Sequence, residues 1–226
     1  MKNTYSDFLN LFSTFCVEVG LTENHAKEMM TTFDIRFDYI EAYGDNEQGL
    51  ELAYNYYKTT VIPHKVAVFK EAMKMEDAFK RQRKEDLIVQ LRDHDLSKFC
   101  FEELAYADVD FKNFKDNPKW VIDNFKKSWH HHKSVNPHHP EYWFDVKKDG
   151  TANPIKIPTH FLAEMVADWR GAGITYGNPI GYWLKKNLHT FRFHKETAME
   201  LAVLLAKYCQ IETKLKDDSD EVLFCV

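Results

Sequence analysis

An adjacent histidine and aspartate, His94 and Asp95, form the pair in this chain that is best suited to chemistry. They lie within residues 92–99, which read RDHDLSKF. Neutral imidazole and ionised carboxylate are common ligands of zinc, manganese and iron. At the end of a helix the two neighbouring side chains can converge on one ion, and the second oxygen of Asp95 could bridge to another. The pair therefore predicts a catalytic metal site.

Further donor side chains lie on both sides of this pair, and all of them are candidates for ligation. They are His64, His130, His131, His132, His138, His139 and Asp168. A single inward histidine is usually a hydrogen-bonded core residue. Several such groups buried without partners would each cost about 1–3 kcal/mol, so the set as a whole favours a shared metal ion.

Helical spacing places the first of these residues inward. A helix beginning near Pro63 puts His64 on the apolar face that also carries Val68 and Ala72. The next predicted helix, over residues 84–93, continues the same steps and turns His94 and Asp95 to the inner side. We expect His130 to be exposed.

Helix-type spacing also dominates elsewhere, and it predicts an all-α fold. Helices are expected over residues 22–43, 47–58, 118–135 and 161–169, around Trp183, and over residues 195–215. The glycine-rich residues 170–179 are expected to form a loop. We expect a single domain over residues 1–226, with an N-terminal helical addition (1–58), a metal-binding core (60–200) and a flexible tail (216–226).

Composition narrows the class of protein. The 226 residues are 44% hydrophobic, which suits one domain with a substantial core. The net charge of -5 gives no broad basic surface, which argues against extended nucleic acid as a partner. The sequence has no run of about 20 apolar residues for a membrane span, and acidic residues interrupt any signal-peptide core near the start.

The cysteines support the same class. The four of them are dispersed and form no C-x-x-C pair, so neither a zinc knuckle nor a disulfide framework is indicated. We expect reduced thiols and a cytoplasmic protein.

The order of these motifs resembles the HD-domain superfamily of metal-dependent phosphohydrolases and related di-iron enzymes. A closer resemblance, over about residues 60–200, is to an uncharacterised family of small bacterial and phage proteins. It depends on the segments 63–65, 94–99, 131–132, 136–140, 142–143 and 164–169.

The superfamily resemblance implies an HD-like helical bundle and a set of ligands. The first-ion ligands would be His64, His94, Asp95 and Asp168, with Asp95 bridging if two ions are bound. His132 and His139 would complete a second ion. Their neighbours His131 and His138 would serve as outer or substrate-contacting groups, and the residues alone leave open which member of each pair turns inward.

Lys98 and Glu164 are the other candidate catalytic residues. Lys98 stands where cyclic-dinucleotide phosphodiesterases of this superfamily keep a lysine, and it could clamp a phosphate oxygen. Ser97 replaces the glycine of that motif, so the cyclic-dinucleotide specificity is not carried over. The 5′-nucleotidase branch has glutamate where this chain has Lys98, so the resemblance does not extend to that branch. Glu164 could act as general base or orient a ligand, or it could pair with Arg170 or Arg92.

The predicted function is a metal-dependent phosphohydrolase that acts on a nucleotide or another small phosphoester through a metal-activated water. The cofactor would be one or two divalent ions of iron, manganese, zinc, cobalt, nickel or magnesium. The partner would be a small phosphorylated substrate and not a membrane. The alternatives are a di-iron oxygenase of HD type and a non-catalytic binding module in which metal only joins helices, with residues 222–226 as a contact for a partner.

Overall fold

The computed structural model of the protein describes residues 5–32, 47–217 and 221–225. Most of these residues are helical, which confirms the mainly helical class. The chain divides into two compact units. The first contains the described residues of 1–66 together with 92–136, and the second contains those of 67–91 and 137–226.

The described helices are as follows: α1 Tyr5–Val19, α2 Glu23–Thr32, α3 Glu47–Tyr56, α4 Ile62–Met73, α5 Lys84–Asp93, α6 Lys119–Val135, α7 Thr159–Tyr176, α8 Ile180–Asn187 and α9 Lys195–Leu204. Short 3₁₀ turns cover Glu76–Phe79, Leu96–Phe99, Phe101–Asp108, Phe114–Asp116, Pro140–Tyr142 and Leu188–Thr190, and π-helical turns cover Tyr57–Val61 and Leu205–Cys209. In the described part of the chain, no helix is long and apolar enough to cross a membrane.

The core of the first unit is aromatic. Along α1, Phe8, Phe12 and Phe15 recur at helical spacing and are fully buried. Phe12 meets Phe99 edge to face, with 4.9 Å between the ring centroids, and Tyr57 lies 4.4 Å from the same ring. Phe99 closes the turn that follows the His94-Asp95 pair, so this aromatic contact anchors the backbone beside the candidate site.

The core of the second unit forms around α7. The segment 162–167 of this helix is buried at every position, which includes one carboxylate, Glu164. The carboxyl-terminal part of the helix packs closely on α4, where Gly171 lies against Val68. Pro158 precedes the first residue of α7, and Gly177, with φ of 68°, ends the helix in the left-handed region.

Two small antiparallel sheets, both in the second unit, add to the helical fold that the sequence predicted. β1 (Phe144–Val146) pairs with β2 (Ala152–Pro154) as a hairpin, with Asp145 opposite Asn153. β5 (Glu221–Cys225) lies between β3 (Phe193–His194) and β4 (Lys214–Asp217). The segment predicted to be a flexible tail, residues 216–226, therefore contains the strand β5 and the last two residues of β4. Strands of two to five residues are too short for alternation to be recognised in the sequence.

Several helix boundaries match the sequence analysis, and others differ. α5 has the predicted bounds, and α6 ends at Val135, directly before Asn136, as expected. The predicted loop over 170–179 is wrong up to Tyr176, because Gly171 serves close packing and not a turn. α9 stops at Leu204 and is followed by a π-helical turn, which ends at Gln210 in the left-handed region. The part of the predicted helix beyond Thr32 lies outside the described residues.

Replacing Gly171 with alanine should destabilise the protein although alanine favours helices. The added Cβ would lie 2.7 Å from Cγ2 and 2.8 Å from the backbone nitrogen of Val68. Overpacking of this kind costs about 1–3 kcal/mol, which exceeds a helix-propensity gain of about 1 kcal/mol.

Gly181→Ala is the matched control, because its Cβ would meet only Ile211 Cδ1 at 3.7 Å. We expect its free energy of unfolding in urea to equal or exceed that of the wild type. Equal stability of the two variants would contradict the close packing of α7 on α4.

Candidate metal centre

The His94-Asp95 pair lies at a backbone turn directly after α5. That helix ends at Asp93, and Asp95 adopts a left-handed conformation with φ of 58° and ψ of 17°. This conformation costs an L-residue roughly 1–2 kcal/mol, and aspartate is among the residues that tolerate it best. The turn leaves both side chains inside the first unit, each residue 2% exposed. The predicted position at a helix end, facing the core, is confirmed.

Three imidazoles surround the Asp95 carboxylate. Nε2 of His64 lies 3.5 Å and Nε2 of His94 lies 3.7 Å from Oδ2 of Asp95. Nε2 of His132 lies 3.3 Å from the other oxygen, Oδ1. The two oxygens thus face different imidazoles, which is the arrangement that a bridging carboxylate needs.

These separations suit common ligands of one ion better than direct hydrogen bonds. A hydrogen bond between nitrogen and oxygen is about 2.7–3.2 Å long. Two ligand atoms bound tetrahedrally at about 2.0–2.2 Å from a zinc ion lie about 3.4 Å apart. Each of the ring nitrogens of His64, His94 and His132 therefore lies at about the distance from an Asp95 oxygen that two ligands of one ion would have. Buried imidazole and carboxylate donors of this kind fit the divalent cofactor that the sequence predicted.

Glu103 orients His132 from its other ring nitrogen. Oε2 of Glu103 lies 2.8 Å from Nδ1 of His132, and a carboxylate can only accept there. The proton is therefore on Nδ1, and the lone pair of Nε2 faces Asp95. Burial, together with the nearby charge of Lys98, lowers the pKa of His132, which favours the neutral form that binds metal. This is the carboxylate–histidine pairing that tunes metal ligands.

Lys98 lies at the same carboxylate. Its Nζ is 3.7 Å from Oδ2 of Asp95 and 3.4 Å from Nε2 of His132. It also stands 4.4 Å from the centroid of the Tyr106 ring, and the lysine is only 8% exposed. The predicted proximity of Lys98 to the His94-Asp95 pair is therefore present in the fold.

The other two of the three consecutive histidines at residues 130–132 lie in different surroundings from His132. His131 is half-buried, and its Nδ1 lies 3.0 Å from Oε1 of Glu103. His130 is exposed, as expected. Successive residues of a helix are rotated by about 100°, so neighbours in α6 face different surroundings. Of the triplet, His132 is the member that lies against Asp95.

The second unit has a buried imidazole–carboxylate pair of its own. Nδ1 of His138 lies 3.5 Å from Oε1 of Glu164, and both residues are 3% exposed. The side chain of Gln90 donates a hydrogen bond to Oε2 of Glu164. The ring of His139 is half-buried with its centroid 4.5 Å from that of His138. Asp168 lies four residues after Glu164 on α7 and is half-buried. Ligand roles for His139 and Asp168, and catalytic roles for His138 and Glu164, stay predictions.

Both arginines considered as partners of Glu164 bind other carboxylates. Arg170 contacts Glu71 at 2.5 Å, and Arg92 contacts Asp93 at 2.7 Å. Glu164 accepts instead from Gln90 within its own unit.

Lys65 is a positioning residue that the sequence analysis missed. It is fully buried, and its Nζ donates to the carbonyl oxygen of Arg92 at 2.8 Å and to that of His94. These carbonyls belong to the end of α5, where carbonyls have no partner within the helix and the helix dipole is negative. The amine thereby holds the backbone on both sides of Asp93. The sequence signal was weak, because Lys65 is one of many lysines and only its place beside His64 distinguished it.

Asn136 is another residue that the sequence analysis missed, as it missed Glu103. Its amide donates to Oγ of Ser97 at 2.8 Å and to the carbonyl of His132 at 2.7 Å. It ties the carboxyl end of α6 to the turn after Asp95. In the sequence analysis this asparagine entered only as part of the segment 136–140 that carries the family resemblance.

Comparison with known families adds one finding. Residues 53–214 match the model of DUF5662, a family of unknown function. This range includes every candidate ligand from His64 to Asp168. No curated protein and no solved structure matches the chain.

Lys65→Met should weaken metal binding while leaving the fold intact. The two carbonyls at the end of α5 would lose a buried donor, at about 1–3 kcal/mol, so the melting temperature should fall by several degrees. Loss of a supporting contact of this kind typically lowers metal affinity about 10–100-fold. Isothermal titration with manganese or zinc measures the affinity.

Lys70→Met is the matched control, because Lys70 is an exposed lysine of the same helix. It should retain wild-type affinity. Unchanged metal affinity in Lys65→Met would show that Lys65 does not position the pair.

Proposed function

The chain belongs to this family of unknown function, and we propose that it is a metal-dependent phosphohydrolase acting on a nucleotide or another small phosphoester. One observation supports the proposal above all others. The buried Asp95 carboxylate has three imidazole nitrogens and one lysine amine within 3.3–3.7 Å of its oxygens.

His64, His94, Asp95 and His132 would hold one or two divalent ions. A divalent ion bound there would supply Lewis acidity, which lowers the pKa of a water and polarises a phosphoryl oxygen. The four residues offer only imidazole and carboxylate donors, which is typical of catalytic ions and differs from thiolate-rich structural zinc sites. Glu103 keeps the Nε2 lone pair of His132 available for this role.

Lys98 supports phosphoester chemistry in particular. Its amine lies beside two of the ligand side chains, and a lysine at such a place can donate to a phosphate oxygen and balance its negative charge. The Tyr106 ring beneath it holds the amine through a cation–π contact. Negative charge develops on the phosphoryl oxygens in the transition state of phosphoester hydrolysis. A metal ion and the Lys98 amine would both offset that charge.

The order of these residues along the chain also resembles that of HD phosphohydrolases. The same donors could serve a di-iron oxygenase, which is the main alternative. The two functions differ in what is consumed, since an oxygenase takes up dioxygen and a hydrolase does not.

The test is release of phosphate, or of the alcohol product, from a broad panel of nucleotides and small phosphoesters by protein loaded separately with manganese, iron, zinc or cobalt. We expect Asp95→Asn to lose both bound metal and turnover. Lys98→Met should retain the metal and lose about 10²–10³-fold in kcat, as for loss of one group that stabilises developing charge.

Lys112→Met, at an exposed lysine, is the control and should keep full activity. Metal-loaded wild type that hydrolyses no member of the panel would overturn the proposal. Oxygen uptake by the iron-loaded protein would favour the oxygenase instead.

A further inference from the structure

A second group of donor side chains in the first unit shares Glu103 with His132. Cys100, Glu103 and His131 each offer one ligand atom, and these atoms lie within 4.8 Å of one another. We propose that they form a separate binding site for a thiophilic divalent cation of the zinc class. This site is distinct from the centre around Asp95.

The chemistry of the donors identifies the class of ion. One thiolate, one carboxylate and one imidazole make a mixed set that suits zinc or cadmium and is unsuited to magnesium or calcium, which prefer oxygen ligands. Three protein ligands leave a fourth tetrahedral position for water. Cys100 and His131 are half-buried, so an ion can reach them from solvent, whereas Glu103 is 1% exposed.

The backbone holds the three residues in place. Cys100 follows the 3₁₀ turn Leu96–Phe99, and its N–H donates to the carbonyl of Ser97 at 2.9 Å. Glu103 lies in the next 3₁₀ segment, Phe101–Asp108. His131 lies on α6, whose Ser128 hydroxyl donates to the carbonyl of Glu102 at 2.6 Å and so fixes the helix to that segment. These contacts fix the backbone of the site, and a bound ion would replace the present hydrogen bond between Nδ1 of His131 and Oε1 of Glu103.

Metal binding at this site must displace the thiol proton of Cys100. Burial, and then the negative charge of Glu103, raises the pKa of Cys100 to about 12, which favours the protonated thiol in the absence of metal. Glu103 supplies a carboxylate oxygen that is 1% exposed, so the ion would bind to an anionic oxygen donor away from bulk water. Binding releases the thiol proton to solvent.

Shared use of Glu103 connects this site to the Asp95 centre. Oε1 of Glu103 faces Nδ1 of His131 at 3.0 Å, and Oε2 faces Nδ1 of His132 at 2.8 Å. An ion on this carboxylate would draw charge from it and weaken its hydrogen bond with His132. Excess zinc should therefore inhibit the enzyme through this site, a consequence that rests on the proposed function, while the binding itself does not.

Cadmium titration of the full chain tests the site, because a cadmium–thiolate bond has its own ultraviolet charge-transfer band. We expect the band to saturate in the wild type and to disappear in Cys100→Ser, which is nearly isosteric. Cys209→Ser is the matched control, since Cys209 is another half-buried free thiol, and it should retain the band. His131→Asn should weaken cadmium binding at least tenfold. Circular dichroism verifies that each variant is folded.

A cadmium–thiolate band that persists in folded Cys100→Ser, or cadmium binding to the wild type without such a band, would overturn the proposal. Asp95→Asn separates the two hypotheses, because it removes the principal centre and should keep the band. If the protein proves not to be a hydrolase, the cadmium titration still decides whether the second site exists.

Discussion

The burial of the Asp95 carboxylate is the constraint on which the arrangement of the first unit depends. A carboxylate that is 2% exposed is stable only when charges and polar groups around it replace water. Here three imidazoles and the Lys98 amine surround it. Further polar residues, Lys65 and Glu103, hold some of these groups in position.

Two supports act on different parts of this network. Lys65 binds carbonyl oxygens at the end of α5 and so fixes the backbone from which His94 and Asp95 project. Glu103 binds a side chain and fixes the ring orientation and tautomer of His132. A fully buried lysine whose partners are helix-end carbonyls is stable because the helix dipole supplies the opposing negative potential. In the second unit the same rule holds on a smaller scale, where Gln90 supports the buried Glu164 beside His138.

Adjacent histidines of α6 show how a single helical step separates two roles. His132 is buried against Asp95, whereas His131 is half-buried and lies with Cys100 and Glu103. Glu103 is in contact with both rings, so a carboxylate that orients one candidate metal ligand also belongs to a second group of donors. In this way two chemically different sets of ligands can share one side chain.

Helical periodicity is a local property of the chain, and it was enough to predict the mainly helical class, the bounds of α5, the ends of α6 and the inward direction of His64, His94 and Asp95. It did not determine the two small sheets, since β3 and β5 pair across nearly thirty residues of chain and each is too short to show alternation. Gly171 was predicted to lie in a loop, whereas the structure places it within α7, where it packs against Val68 of α4. The choice of His132 over His131, the roles of Lys65 and Glu103, and the grouping of Cys100 with them were decided only by the tertiary structure. Which polar groups become neighbours depends on how separate elements pack, and residue spacing along one element carries no information about that packing.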